Sequence, residues 1–367
     1  MSSRMGVLDH LGIRNIRHLA GGSIFDHIHR SPREPSKNNG LNLSQKKHKK
    51  YYRSTHTASD TAMKPHVKGL VAAAFSPLKD DGSLNIGIVP KYAAYLASKG
   101  VVGVFVNGSS GEGFSFTTEE RMKIAEAWVK AAAATKLKVI IHCSHHSIVE
   151  EKQMAAHAQK IGAFGIGTMG PLYFKPKSAE RLAEYCRQTA AAAPDLPYYF
   201  YNIPRMSGIN VSMLDFIKLA SETIPNFAGI KYSDPGDFPG LAWCKNFDGG
   251  RFNILHGQDE SLLPALSLGI TAAIGSTYNL GAPIYTRIID AFEKKDLDTA
   301  REYQLLSINV VMVLFGTGEF FSACKATMKW LGIDLGPVRS PLKDIDAKTS
   351  ADLKKKLEAL GFFKICA

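Results

Sequence analysis

The sequence predicts an α/β fold built as a (β/α)8 barrel (TIM barrel), with appended C-terminal helices and a disordered N-terminal tail. First, short apolar or β-branched runs alternate with amphipathic stretches from residue 68 onward, which is typical of βα units. Second, there are about eight such runs, the number of strands in this barrel. Third, the runs are apolar on both faces, as in a parallel sheet buried on both sides. A doubly wound sheet shows the same alternation, but no G-x-G-x-x-G follows the first run.

The elements follow in order along the chain. Strands are predicted at 69–74, 101–106, 139–142, 165–168, 198–201, 227–231, 254–256 and 272–274. Helices are predicted between them at 86–99, 118–134, 148–160, 178–193, 213–220 and 261–268. Gly100 is expected to end the first helix, since glycine favours the left-handed C-cap conformation. Thr117 and Glu120 have the spacing of a capping box before the second helix.

Four further helices are predicted at 284–293, 297–315, 319–331 and 352–360. The chain therefore divides into an extension at 1–62, a barrel at 63–281 and a C-terminal helical extension at 282–367.

The extension at 1–62 holds eleven Lys and Arg against four acids, so it carries +7 of the net charge of +12. Ser, Asn and Pro are frequent and no helix or strand period persists, which predicts a disordered basic segment. It could instead be an organelle presequence, or an arm that binds nucleic acid or another acidic surface. It could also lie outside the natural product, if translation starts at Met63. No apolar core follows its first basic residues, as a secretory signal would require.

Composition excludes several classes of protein. With 45% hydrophobic and 21% charged residues, the chain is too apolar to be disordered throughout. No stretch approaches the ~18 apolar residues of a membrane span, so no membrane partner is predicted. The cysteines are odd in number, scattered and free of C-x-x-C pairs, which favours a reduced, cytoplasmic compartment; they are Cys143, Cys186, Cys244, Cys324 and Cys366. The run 142–146 contains three His, but its spacing matches no zinc pattern, so no metal is predicted.

Polar residues that follow the predicted strands are candidate site residues, because the active sites of such barrels lie at the carboxyl ends of the strands. They come from five loops, at 107–113, 201–202, 231–234, 257–260 and 275–279, which include Ser109, Ser110, Tyr201, Lys231, Ser233, Gly257, Asp259, Glu260 and Ser276.

Lys231 ends an apolar strand, so its amine should emerge inside the barrel mouth. Desolvation there would lower its pKa and give a nucleophile able to form Schiff bases with ketones, or the amine could be paired with Asp234 or Glu260 as a structural group.

Tyr201 could relay protons or be a core tyrosine. The glycine-rich loop 108–113 suits a carboxylate or phosphate but is no P-loop, since no Lys follows its last Gly. Asp259 and Glu260 could hold sugar hydroxyls or cap the next helix.

Four motifs together resemble the pyruvate-dependent class I aldolases, the family that includes N-acetylneuraminate lyase and dihydrodipicolinate synthase. They are Gly108-Ser109-Ser110-Gly111-Glu112, Tyr201-Asn202-Ile203-Pro204, Gly229-Ile230-Lys231 and Gly275-Ser276-Thr277-Tyr278-Asn279. The resemblance spans residues 68–363 and implies that Lys231 is the Schiff-base lysine. It also implies that Tyr201 transfers a proton and that Ser109 and Ser110 hold the pyruvyl carboxylate.

Within the family the chain looks like the lyase branch rather than the synthase. Met206 stands where the synthase has an arginine, although Arg205 is adjacent, and His145 and His146 depart from the small residues usual after that strand. The resemblance implies an aldehyde-lyase that cleaves N-acetylneuraminate reversibly to N-acetylmannosamine and pyruvate. It implies no cofactor beyond the covalent Schiff base on Lys231.

The remaining roles also come from the resemblance. Ser233 would support the proton relay, and the sugar hydroxyls would bind to Gly257, Asp259, Glu260 and Ser276. Tyr173 would reach a neighbouring subunit's site, which implies a homotetramer. The predicted partners are therefore sialic acid and pyruvate, with no nucleic acid and no membrane.

Two alternatives stay open. One is another pyruvate-dependent aldolase or synthase of this family, acting on a 2-keto-3-deoxy sugar acid or on aspartate semialdehyde. The other is a non-catalytic barrel, either a sugar-acid sensor or a nucleic-acid-associated protein that works through residues 1–62.

Overall fold

The computed structural model describes residues 66–367, so the predictions for residues 1–62 lie outside the described residues. Eight parallel strands close into a barrel in sequence order, which confirms the predicted TIM barrel. The strands are β1 Gly69–Ala73, β2 Gly103–Val106, β3 Lys138–His142, β4 Gly165–Thr168, β5 Tyr198–Asn202, β6 Phe227–Tyr232, β7 Asn253–His256 and β8 Ala272–Gly275. Each lies within two residues of its predicted bounds.

The helices surround the barrel and continue beyond it. They are α1 Val89–Ser98, α2 Thr118–Thr135, α3 Ile148–Lys160, α4 Ala179–Ala190, α5 Pro204–Ser207, α6 Met213–Thr223, α7 Phe238–Asn246, α8 Leu262–Ser267, α9 Tyr278–Glu293, α10 Leu297–Phe315, α11 Phe320–Trp330, α12 Ala347–Ala359 and α13 Phe362–Cys366. Short 3-10 turns occur at Ile86–Ile88, Gly113–Ser115, Phe247–Gly250 and Asp259–Ser261.

Two helix ends show the caps that the sequence predicted. The Glu120 backbone N–H donates to the Thr117 hydroxyl at 3.2 Å, and the Thr117 N–H donates to the Glu120 carboxylate at 3.0 Å. This capping box satisfies two otherwise unpaired donors at the start of α2, which is worth about 1 kcal/mol. Gly100 follows α1 with a positive φ of 81°, the left-handed conformation that ends the helix.

The sequence did not predict α5, α7 or α13, and it placed the starts of α9 and α12 too late. Pro239 and Gly240 disfavour a helix interior, but in α7 they lie in the first turn, where the Asp237 carboxylate accepts from the Gly240 N–H at 2.8 Å. The boundary predicted at residue 281 lies within α9, beside a kink at Gly281. Because α9 continues across that boundary, the division of the described chain into a barrel and a C-terminal helical extension stays a prediction.

The core has two layers because successive strand residues point to opposite faces. In β2, Phe105 lies inside the barrel, whereas Val104 and Val106 pack against the helices. The same alternation places Ile140 of β3 inside and Ile141 outside. Both faces of the strands are thus buried, as the apolar runs predicted.

Of the helices within residues 66–367, none is by itself both long and apolar enough to cross a membrane. Within this described part of the chain, one pair, α10 and α11, has the required length and composition when taken together, and the pair is bent by 113°.

Candidate active site

Lys231 lies inside the barrel near the end of β6 and is only 4% exposed. Its Nζ is 4.3 Å from the centroid of the Phe105 ring and 3.8 Å from that of Tyr201. Burial lowers the pKa of Lys231 below its ordinary value, while the neighbouring Tyr201 hydroxyl and the Asp259 carboxylate act in the opposite direction. Desolvation therefore favours the neutral amine, which is the nucleophilic form.

Tyr201 is the register partner of Lys231 on the adjacent strand β5, and it is also buried. Its ring makes edge contacts with Phe105, at 5.6 Å between centroids, and with His142, at 5.9 Å. These contacts restrict the ring, so the hydroxyl is held beside the amine.

The loop after β2 meets the loop after β8. The hydroxyl oxygens of Ser110 and Ser276 are joined by a hydrogen bond of 2.6 Å, and Ser109 is half-buried next to them. The backbone at position 113 passes so close to Asn107 that only glycine fits there, since a Cβ would lie 2.0 Å from the Asn107 carbonyl oxygen. The result is a compact turn that presents two hydroxyls.

Ser233 and Gly257 lie together at the ends of β6 and β7. A Cβ at Gly257 would lie 1.8 Å from the Ser233 Oγ, so only glycine permits this approach. The Ser233 hydroxyl is buried and has no hydrogen-bond partner among residues 66–367. An unpaired buried hydroxyl costs free energy, and such groups are common where a ligand supplies the missing partner.

Asp259 connects the loop after β7 to the start of α9. Its carboxylate accepts from the Thr277 N–H at 2.7 Å and from the Thr277 hydroxyl at 2.6 Å. Burial raises the pKa of Asp259 to about 6, although these two bonds oppose the shift. The carboxylate thus accepts hydrogen bonds at the start of α9 and does not cap α8, the helix that follows it in sequence, whose first turn has no side-chain cap. The neighbouring Glu260 is half-buried.

Tyr173 is the predicted site residue that the chain does not bring to the others. It is 79% exposed and contacts the exposed Phe174 at 4.9 Å between ring centroids. Arg205 and Met206 are also exposed, on the short helix α5 after β5.

Two residues of the site were not predicted in this role. Phe105 forms the apolar wall against Lys231, and its inward position in β2 was the signal that could have indicated it. His142 contacts Tyr201 and donates from Nδ1 to the Asn107 carbonyl oxygen at 3.0 Å, whereas its Nε2 has no partner within residues 66–367. Burial and the nearby Arg121 lower the pKa of His142 to about 3, so the ring is neutral at pH 7.

Within the described residues, no group of three or more His, Cys, Asp or Glu side chains is arranged to hold a metal ion.

A closed parallel barrel with a buried lysine and tyrosine paired at its carboxyl end defines an enzyme of the (β/α)8 class. The model of the dihydrodipicolinate synthetase family matches residues 66–360, and the chain belongs to that family. The resemblance stated from the motifs is thereby confirmed.

Among its relatives, N-acetylneuraminate lyase of Rattus norvegicus is 37% identical over 302 residues, which cover 82% of this chain and 94% of that protein. The lyase of Homo sapiens is 36% identical with the same coverage. The solved N-acetylneuraminate lyases of Proteus mirabilis and Aliivibrio salmonicida superpose with TM-scores of 0.78 and 0.79. Each is 36% identical to this chain. The superposition covers 100% of each lyase, and it covers 81% of this chain for the Proteus mirabilis protein and 83% for the Aliivibrio salmonicida protein.

Proposed function

We propose that this chain is a Schiff-base-forming aldolase that cleaves N-acetylneuraminate reversibly to N-acetylmannosamine and pyruvate. The observation that carries the proposal is the buried Lys231 amine beside Tyr201 in the mouth of the barrel. The lyases to which the chain is similar, at 36–37% identity over most of its length, favour this substrate over others of the family.

The reaction begins when the neutral Lys231 amine attacks the keto carbon of the open-chain sugar acid. The neutral adduct takes up one proton and loses water to leave a cationic imine, which is the electron sink for the next step. As the C3–C4 bond breaks, the Tyr201 hydroxyl takes up the proton of the C4 hydroxyl and passes its own proton to the substrate carboxylate, and the bonding electrons move into the imine to give an enamine. The aldehyde sugar leaves, the enamine takes a proton at C3, and water releases pyruvate and the free amine. The imine withdraws the electrons, so the proposed steps require neither a metal nor another cofactor.

Ser109 and Ser110 are proposed to hold the pyruvyl carboxylate together with backbone N–H groups of their loop. Hydroxyls and backbone amides at a tight turn suit an anion because they supply fixed positive dipoles. Ser233, whose hydroxyl lacks a partner within the described chain, is proposed to support the proton relay.

Gly257, Asp259, Glu260 and Ser276 are proposed to bind the hydroxyl tail of the sugar. All four lie in the loops after β7 and β8, on the side of the mouth next to Lys231. Carboxylate oxygens accept hydrogen bonds from hydroxyls well, and the half-buried Glu260 keeps its carboxylate accessible.

We further propose a homotetramer in which Tyr173 reaches the site of a neighbouring subunit. The exposure of Tyr173 and Phe174, two large aromatic side chains in contact with one another, supports this role. Light scattering on the purified full chain should give four copies of the 40.0-kDa polypeptide, and a monomer would contradict the proposal.

A cytoplasmic location is proposed from the cysteines, all five of which are buried and unpaired. Cell fractionation with an antibody against the chain tests it, and recovery in an organelle would contradict it.

Borohydride reduction in the presence of pyruvate tests the chemistry. We expect a reduced pyruvate adduct on Lys231, found by peptide mass spectrometry, and release of pyruvate from N-acetylneuraminate by the wild-type chain. Lys231→Ala should lose both the adduct and the activity. Lys138→Ala, which removes another strand lysine at the opposite end of the barrel, is the matched control and should retain both. A fully active Lys231→Ala variant would overturn the proposal.

A further inference from the structure

The glycine-rich loop 108–113 is fixed from outside the barrel by the C-terminal helical region. The Glu112 carboxylate, at the end of this loop, lies 2.7 Å from the Nζ of Lys325 on α11. The two side chains are 0% and 3% exposed, so this is a fully buried ion pair. The same Lys325 Nζ donates to the Pro337 carbonyl oxygen at 2.7 Å.

A second contact comes from the segment that follows α11. The Arg339 backbone N–H donates to the other Glu112 carboxylate oxygen at 2.6 Å. The Arg339 guanidinium donates to both carboxylate oxygens of Glu120, at 2.7 and 2.9 Å, and to the Ser115 carbonyl oxygen at 3.1 Å. One Glu112 oxygen is therefore in an ion pair with Lys325 and the other accepts a hydrogen bond from Arg339, and both partners lie more than 200 positions away in the sequence.

The backbone of the loop is in a conformation that it would not keep unaided. Glu112 has a positive φ of 54° and Asn107 one of 62°, which are uncommon for residues other than glycine. Such conformations persist only where surrounding contacts fix them, and they are concentrated at functional sites. Here the contacts that fix Glu112 come from Lys325 and Arg339.

Stability alone is a weak reason for this ion pair. Burying two charges costs desolvation energy that their attraction only partly offsets, and a hydrophobic pair of similar volume is often as stable. Fixing one conformation among several is the better attested use of a buried charged pair. Glu112 lies two residues after Ser110, so a shift of Glu112 would displace the hydroxyls of the loop.

We propose that Lys325, through Glu112, is a positioning residue for the loop that binds the substrate carboxylate. This inference rests on the proposed function, since it requires that Ser109 and Ser110 receive that carboxylate. It assigns the C-terminal helices a part in substrate binding.

The test compares a ligand that has the carboxylate with one that lacks it. Borohydride trapping on Lys231 is measured against pyruvate concentration and, separately, against acetone concentration, in the full chain. In the neutral double variant Glu112→Gln/Lys325→Met, we expect the half-saturating pyruvate concentration to rise at least about tenfold, because misplacement on the order of 1 Å costs this much or more. Trapping of acetone should stay within about twofold of the wild type, since it requires Lys231 alone.

Two further variants separate positioning from general damage. Lys325→Arg, a single change in the wild-type chain, keeps the positive charge. Its half-saturating pyruvate concentration should stay within about threefold of the wild-type value. Lys329→Met is the matched control, because Lys329 lies on the same helix and pairs with Asp334 at 2.8 Å on the surface. It should leave both ligands unaffected.

Unchanged pyruvate half-saturation in the double variant would overturn the inference, and so would an equal loss for pyruvate and acetone. Should the double variant fail to fold, Lys325→Arg decides instead, since a conservative change that weakens pyruvate and acetone equally contradicts a positioning role. A wild-type chain that traps no pyruvate on Lys231 would contradict the proposed function itself, which is a different result.

Discussion

Tyr201 and Lys231 are direct register partners on β5 and β6, and the Lys231 Nζ lies 3.8 Å from the centroid of the Tyr201 ring. Strand pairing thus brings the Tyr201 side chain and the Lys231 amine, the proposed proton-transfer group and nucleophile, together without any loop contribution. Rigid strands hold such a pair more accurately than loops do, and geometry within a fraction of an ångström decides proton transfer.

Replacing Tyr201 with Phe should separate imine formation from bond cleavage. Turnover of N-acetylneuraminate should fall by about 10²- to 10⁴-fold, the usual contribution of a positioned acid or base. Trapping of pyruvate on Lys231 should fall far less, because the amine is still buried and neutral. Loss of Tyr201 should also move the pH midpoint of trapping downward, since Tyr201 raises the pKa of Lys231 against the effect of burial.

Steady-state kinetics and borohydride trapping at a series of pH values measure these effects. Tyr199→Phe is the control, because Tyr199 is another inward-facing tyrosine of β5, two residues from Tyr201. Its hydroxyl contacts Asn253 at 3.4 Å instead of the amine, so activity should stay near that of the wild type. Equal losses of trapping and turnover in Tyr201→Phe would contradict the separate roles.

The serine pair should show its role in the affinity for pyruvate. Ser110→Ala should raise the KM for pyruvate in the synthetic direction by about 10- to 100-fold, because a hydrogen bond to a charged group is worth about 1.5–3 kcal/mol. Ser276→Ala should raise it too, through the 2.6 Å bond that the two hydroxyls share. The double variant should lose less than the product of the two single effects, as is expected for residues in contact.

Initial-rate kinetics with a fixed concentration of N-acetylmannosamine give these values. Ser267→Ala removes an exposed hydroxyl that donates to the Pro264 carbonyl oxygen at the end of α8, and it should change nothing. Single variants with an unaltered KM would show that the carboxylate binds elsewhere.

The sequence predicted those parts of the site that local pattern determines. Parallel strands end at one edge, so Lys231 and Tyr201 could be assigned to a common mouth from the position of each strand alone. Their burial follows from the alternation of strand faces, which also places Phe105 inside.

Contacts between distant segments could not be predicted in this way. Nothing in the local pattern of α11 indicates that Lys325 is buried against Glu112, 213 positions earlier. The same holds for Asp259, whose sequence neighbours suggest either a sugar ligand or a cap, and whose hydrogen bonds to Thr277 depend on how β7 and β8 pair. The sequence thus indicated which residues could take part in the site. Which residues they pair or hydrogen-bond with depended on the tertiary fold.

Glu151 provides a prediction about stability rather than catalysis. This residue of α3 is fully buried, and it accepts from Thr189 at 2.6 Å, from Tyr185 at 3.1 Å and from the His145 N–H at 3.2 Å. Burial raises the pKa of its carboxyl from the ordinary value of 4.5 to about 7, although the three hydrogen bonds and Arg121 oppose the shift. Between pH 4.5 and 7 the native state therefore binds more protons at this site than the unfolded chain does.

The sign of the effect follows from that difference in bound protons. A native state that binds more protons loses stability as the pH rises, so Glu151 should lower the free energy of unfolding through this window by about 3 kcal/mol in total. Glu151→Gln cannot ionise and should lose a roughly constant ~1 kcal/mol for its missing acceptor. Relative to the wild type, the variant should thus gain about 3 kcal/mol between pH 4.5 and pH 8. Urea denaturation at both pH values measures this gain, with Gln153→Ala, a change at an exposed and non-ionisable residue of α3, as the control that should show none. A Glu151→Gln difference that is the same at both pH values would contradict the prediction, because it would mean that the pKa of the carboxyl is the same in the native and unfolded states.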